Sequence, residues 1–126
     1  MTTTAIGPLA QVAVTFRDLR PAITWYRDVL GLPLLFETGG MAFFAMGDVR
    51  LMMTPPEQPE FDHPASVLYF RVDDIAARHA ELLARGVAFV DAPHLVGKMG
   101  ATEIWMAFFR DGEGHLLAIT EERVPS

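Results

Sequence analysis

Four histidines, no cysteine and sixteen side-chain carboxylates are the reactive material in these 126 residues. The pair best placed for chemistry is His94, inside the segment DAPHLVGKMGAT (91–102), and Glu103, which follows it. An imidazole titrates near neutral pH, so His94 with a carboxylate partner could act as a general base or help hold a metal. Long loops in compact domains are often functional lids, and 91–102 reads as such a loop. The competing reading is a loop histidine packed beside Pro93, with Glu103 an exposed charge at the start of a strand. Trp105 and Phe44 are large aromatics that could wall a ligand site or fill a core. The other histidines read as structural. His79 falls four residues after Ile75 on a helical face, His115 follows the turn DGEG (111–114), and His63 sits between Asp62 and Pro64 in a linker. DGEG lacks the spaced oxygen ligands and distal Glu of a calcium loop. No GxSxG nucleophile elbow or phosphate-binding glycine loop is present, and without cysteine there is neither thiolate chemistry nor a disulfide framework.

The elements that must position these residues belong to one α+β domain, residues 1–126, with 51% hydrophobic residues and ample material for a core. No apolar run approaches the ~18 residues needed to cross a membrane. The N-terminal MTTTAIGPLAQ lacks the basic region and apolar stretch of a secretory signal, so a cytoplasmic location is expected. The net charge of −6 and the absence of a basic, aromatic-interleaved stripe argue against nucleic acid as a partner.

Two halves share one pattern. In QVAVTFRDL (11–19), Val12, Val14 and Phe16 alternate with Gln11, Ala13 and Thr15, a strand pattern. Asp18 is placed to cap a helix whose apolar face is Leu19, Ile23, Tyr26 and Leu30, with Gly31 as its stop. LPLLFET, MAFFAM and VRLMMT follow as strands, separated by Gly39-Gly40 and Gly47-Asp48. After the proline-rich connector PPEQPEFDHP (55–64), VLYFRVDDI (67–75) repeats the first strand and cap with Asp74 in the place of Asp18. A helix with Ile75, Leu82 and Leu83 on its apolar face and Gly86 as its stop comes next. Then come the strand VAFV, the 91–102 loop, EIWMAFFR, DGEG and HLLAIT. The motif MAFF recurs at 41–44 and 106–109. The shared order of strand, cap, helix stop, strand and turn around it indicates a duplicated βαβββ unit, with one module over about 8–54 and the other over about 65–121.

On QVAVTFRDLRPAITWYRDVLGLPLLFE, GDVRLMM, VLYFRVDDI and FFRDGEGHLLAI, the chain resembles the vicinal oxygen chelate superfamily, which includes glyoxalases, bleomycin-resistance proteins and extradiol dioxygenases. The resemblance spans roughly residues 8–121. It implies paired curved sheets around a cup, and four metal ligands from the first and fourth strands of the two modules, usually His or Gln, Glu, His and Glu. Those places fall on Gln11, Met52, Val67 and Ala118. Divalent cations prefer imidazole and carboxylate donors, and only Gln11 could supply one. No metal is therefore expected there. A divalent metal enters only in an alternative that uses displaced ligands such as Gln11, His94 and Glu103.

Strand alternation assigns the cup lining. Gln11, Arg50, Met52, Val67, Tyr69 and Ala118 are expected on the inward face, joined by Phe44 and Trp105 if those aromatics form walls. Such a lining suits a small apolar or aromatic molecule held by shape and a few hydrogen bonds. The first expectation is thus a glyoxalase-like small-molecule binder without the usual metal. The alternatives are a metal-dependent lyase or dioxygenase with displaced ligands, and a drug-sequestering protein of the bleomycin-resistance type. A homodimer is expected from the resemblance and from exposed sheet edges.

Overall fold

A computed structural model of the chain describes residues 5–56 and 64–125. The first module runs β1 (Gln11–Thr15), α1 (Leu19–Thr24) continued by a π-helical turn (Trp25–Val29), β2 (Leu34–Thr38), β3 (Met41–Met46) and β4 (Val49–Thr54). The second runs β5 (Leu68–Arg71), α2 (Ile75–Ala84), β6 (Ala88–Phe89), β7 (His94–Met99), β8 (Thr102–Arg110) and β9 (Leu116–Arg123). Within the connector, 57–63, and with it His63, lies outside the described residues.

Each module forms one sheet. The orders are β1-β4-β3-β2 and β5-β9-β8-β6, with β7 also paired to β8. In both modules the first strand runs parallel to the last, and the remaining pairs are antiparallel. The registers superimpose the two halves. Ala13, Met52 and Phe43 form one cross-strand row in the first sheet, and Tyr69, Ala118 and Phe108 form the matching row in the second. The two MAFF copies therefore occupy equivalent places in β3 and β8.

The segment 91–102 differs from its expected form as a loop. Its residues His94–Met99 are strand β7, hairpinned onto β8 through a turn at Gly100, whose φ of 60° suits glycine. VAFV is reduced to the two-residue β6, and the chain steps from β6 to β7 along the same edge of β8. The second module thus spends its extra length on a longer, broken edge strand.

One side of each sheet is covered by its helix, and the two covered sides merge into a single core. Val14, Phe16, Tyr26, Phe44, Leu51 and Met53 come from the first module, with Ile75, Leu82, Phe109, Leu117 and Ile119 from the second. Spacing explains which α2 residues enter it. At about 100° per residue, Leu82 lies roughly 20° from Ile75 around the helix, whereas Leu83 lies roughly 80° away. Leu83, expected on the core face, is accordingly 48% exposed. His79, roughly 40° from Ile75, is half-buried with its ring edge-on to Phe89 at 4.4 Å between centroids.

The helix starts also differ. Asp74 accepts a hydrogen bond from the Ala77 N–H at 3.1 Å, an ordinary N-cap. Asp18 makes no such bond. Instead Glu113, from the DGEG turn of the other module, accepts from the N–H groups of Arg17 at 2.7 Å and Asp18 at 2.9 Å.

Candidate functional site

Opposite its helix, each sheet presents an open face. In the first sheet this face carries Gln11, Ala13 and Thr15 from β1, Arg50, Met52 and Thr54 from β4, and Phe43 from β3, because side chains alternate along each strand and paired residues share a side. Arg50 Nε donates to Gln11 Oε1 at 3.1 Å, and the Gln11 amide nitrogen lies 3.6 Å from the Met52 sulfur. Phe43 stacks on Phe36 with centroids 4.5 Å apart and planes 20° apart. Phe43 was not singled out from sequence. The register, in which it faces Met52, is what brings it here.

The open face of the second sheet carries Tyr69, Leu116, Ala118 and Thr120, and Met106 and Phe108. Ala118 is fully buried, and the Tyr69 and Phe108 rings meet edge-to-face at 5.9 Å on either side of it. Arg71 pairs with Glu122 at 2.6 Å toward the rim. Val67 and Leu116 also line, with Thr15, a cavity of about 600 Å³ where the two modules meet.

Val67 precedes β5 and lines the cavity between the modules, while Gln11, Arg50, Met52, Tyr69 and Ala118 lie on open faces. Phe44 does not: it pairs with Leu51, is fully buried and touches Tyr26 in the core. Trp105 also points to the helix side, in register with Glu121. Its indole donates to Glu103 at 3.1 Å, and the Arg123 guanidinium lies 4.7 Å above its ring. Glu103 therefore shares the face of Trp105, as the two-residue spacing implies, but that face is the helical one. His94 sits opposite Met106 on the other side of the sheet, its Nδ1 2.8 Å from the Ala92 carbonyl. His94 and Glu103 are not brought together, and neither joins Gln11, which lies in the other sheet.

The DGEG turn and His115 after it, which read as structural in the sequence, join Tyr26 in a polar seam between the modules. Buried Asp111 accepts from the Tyr26 hydroxyl at 2.7 Å, from the N–H groups of Glu113 and His115 at 2.9 Å, and lies 2.8 Å from His115 Nδ1. His115 Nε2 faces the Thr15 carbonyl at 3.0 Å. Burial and the Asp111 carboxylate both push the Tyr26 phenol well above the ordinary tyrosine range. On the helix side of the second sheet, Glu121 accepts from the Ile75 N–H at 2.8 Å and from Arg123 Nε at 2.7 Å. The Arg123 bond, then the Ile75 bond, hold its carboxyl below the usual glutamate range.

The paired sheets, the parallel closure of each module and the matched registers agree with a profile match over residues 9–119 to the Glyoxalase/Bleomycin resistance protein/Dioxygenase superfamily. The chain belongs to this superfamily. Three solved structures illustrate the shared fold. TnmS3, an antibiotic-binding protein from Streptomyces sp. CB03234, has a TM-score of 0.78 at 24% identity, covering 96% of this chain and 100% of its own. A lactoylglutathione lyase from Agrobacterium tumefaciens gives 0.73 at 20%, covering 94% and 96%. A superfamily member from Sphaerobacter thermophilus gives 0.76 at 17%, covering 93% and 98%. No curated protein matched by sequence.

The metal that the superfamily resemblance implies does not fit the side chains present here. Met52, Val67 and Ala118 offer no oxygen or imidazole donor, and Ala118 is buried beside Tyr69 and Phe108. The one oxygen, Gln11 Oε1, already accepts from a guanidinium, whose positive charge opposes a second cation at that atom. Among the described residues, no group of three or more His, Asp or Glu is gathered for a metal.

Proposed function

We propose that this superfamily member is a binding protein for a small, largely apolar or aromatic molecule, held on the open sheet faces without a metal. The observation that carries this reading is the Arg50–Gln11 hydrogen bond, which puts a fixed cation at the only oxygen donor of the four ligand places. Met52, Phe43, Tyr69 and Phe108 supply apolar surface of the kind that lines ligand pockets. A fold shared with an antibiotic-binding protein supports binding as a sufficient role. The same neighbour favours a second reading, sequestration of a drug. A titration with a cationic glycopeptide followed by calorimetry would show heat only on that reading.

A homodimer fits the surface. Tyr69 is 50% exposed and Phe36 is 49% exposed on the open faces, and Val96 and Met99 are exposed on edge strand β7. A second copy would cover such apolar area and complete the cup. The deciding experiment is equilibrium dialysis against Zn²⁺, Ni²⁺ and Mn²⁺ with elemental analysis. The protein is expected to retain none. Stoichiometric metal that disappears in Gln11→Ala would overturn the metal-free reading.

A further inference from the structure

We propose that the ligand held on the first sheet carries an anionic oxygen group, a carboxylate or an ionised phenol, and that Arg50 receives it. This inference rests on the binding reading above and narrows its substrate class. Five arginines, Arg20, Arg27, Arg71, Arg78 and Arg123, are ion-paired with carboxylates. Arg50 is not: among the described residues its side chain is held by the neutral amide of Gln11. Arg85 and Arg110 donate to the backbone carbonyls of Val29 and Gly114; what sets Arg50 apart is its place on the open face of the first sheet, beside Gln11.

The hydrogen bond uses Nε and leaves the N–H groups of the two terminal nitrogens, the end of the guanidinium that grips a carboxylate bidentately. Gln11 fixes the guanidinium from one side, so less side-chain freedom is lost when an anion arrives. The surroundings supply the rest of the ligand's outline. Arg50 belongs to the row Gln11–Arg50–Ala45, and the next row on the same face is Ala13–Met52–Phe43. Two same-face rows are about 7 Å apart along the strand, close to the span from the far ring of a bicyclic aromatic to its carboxylate. Ala13 is small and exposed, Met52 is deformable and Phe43 is backed by Phe36, so that second row forms a shallow apolar floor. A flat ring system would lie on the floor with its anionic group on Arg50.

The test compares three compounds of one shape, 2-naphthoate, 2-naphthylmethanol and 2-naphthylmethylammonium, by calorimetry on the full chain. The naphthoate is expected to bind roughly tenfold more tightly than the alcohol, with the ammonium weakest, and the preference should shrink as salt is raised. Arg50→Met should erase the preference while leaving the alcohol's affinity in place, and Arg50→Lys should keep part of it. Ala13→Trp, which fills the floor from an exposed position, should block all three compounds. Methyl NMR shifts at Ala13 and Met52 on adding naphthoate to the unaltered protein give a second readout of the same site. Equal affinity for the three compounds, still blocked by Ala13→Trp or still moving those methyls, overturns the anion inference and leaves the cup-binding reading standing. No binding by any of the three, or binding that ignores Ala13→Trp and both methyls, overturns both.

Discussion

The Tyr26 hydroxyl of the first module donates to the buried Asp111 carboxylate of the second at 2.7 Å. Two backbone N–H groups also donate to Asp111 and His115 Nδ1 lies 2.8 Å from it, so it is the hub of the seam between the modules. Tyr26→Phe removes one donor and keeps the ring packing, which should cost about 1.5 kcal/mol. Asp111→Ala strands several donors at once and should cost about 3 kcal/mol or more. Urea denaturation of both variants checks the order. Equal losses would mean that Asp111 does not act as a hub.

The same bond gives an alkaline limit. The folded state holds the Tyr26 phenol above its unfolded value, chiefly through burial and then through Asp111. Its contribution is therefore fully present below the unfolded tyrosine pKa of about 10 and declines as the pH rises beyond it. Thermal melts between neutral pH and pH about 11 should show a fall in midpoint that is shallower in Tyr26→Phe. An identical fall in both proteins would assign the limit to another group.

At the acid end the sign reverses. Arg123 and the Ile75 N–H depress the Glu121 carboxyl. Its contribution is present above the ordinary glutamate pKa of about 4.3 and is lost as the pH falls through the lower folded value. Glu121→Gln should be less stable at neutral pH and should show a flatter acid limb. Stability measured against pH from about 6 down to about 2.5 tests this.

Glu113 caps the start of α1 from the neighbouring module. Glu113→Ala frees two helix-start N–H groups and should cost about 1 kcal/mol. Amide hydrogen exchange should speed up first at Arg17 and Asp18. Exchange unchanged at those two sites would show that water serves them equally well.

A carboxylate at Ala118, the last ligand place that the resemblance implies, should be poorly tolerated. Ala118 is fully buried between Tyr69 and Phe108, so Ala118→Glu overpacks the row and buries a charge, a loss of about 3 kcal/mol or more. Met52→Glu, at a half-buried position, should cost much less. Parallel melts of the two variants measure the difference. Comparable losses would show that the Tyr69–Phe108 row yields more readily than its packing implies.

The duplicated order of elements was legible because its signals are local. Alternation in QVAVTF and VLYFRV, Asp at the helix starts and Gly at the stops each act within a few residues, and their repetition placed the modules. The faces of β1, β4, β5 and β9 are legible for the same reason, and Gln11, Arg50, Met52, Tyr69 and Ala118 stand on the side that alternation gives them. MAFFAM and EIWMAFFR carry no alternation, since apolar residues stand on both sides of these inner strands. Only pairing with Leu51 and Met52 decided that Phe44 enters the core and Phe43 the open face. Pairing with Glu121 likewise turned Trp105 toward the helix.

The sequence by itself thus determined the repeated modules and the superfamily, because both are properties of residue type and short-range order. The tertiary structure alone decided which partner each side chain meets. It turned His94–Met99, inside an expected loop, into the edge strand β7, because β8 offered hydrogen-bonding partners that no local signal reveals. It joined Tyr26 to Asp111 across 85 residues of chain and set Glu113 at the start of a helix 95 residues away. Those contacts depend on how two sheets pack, a long-range outcome of burying both helix-covered faces in one core.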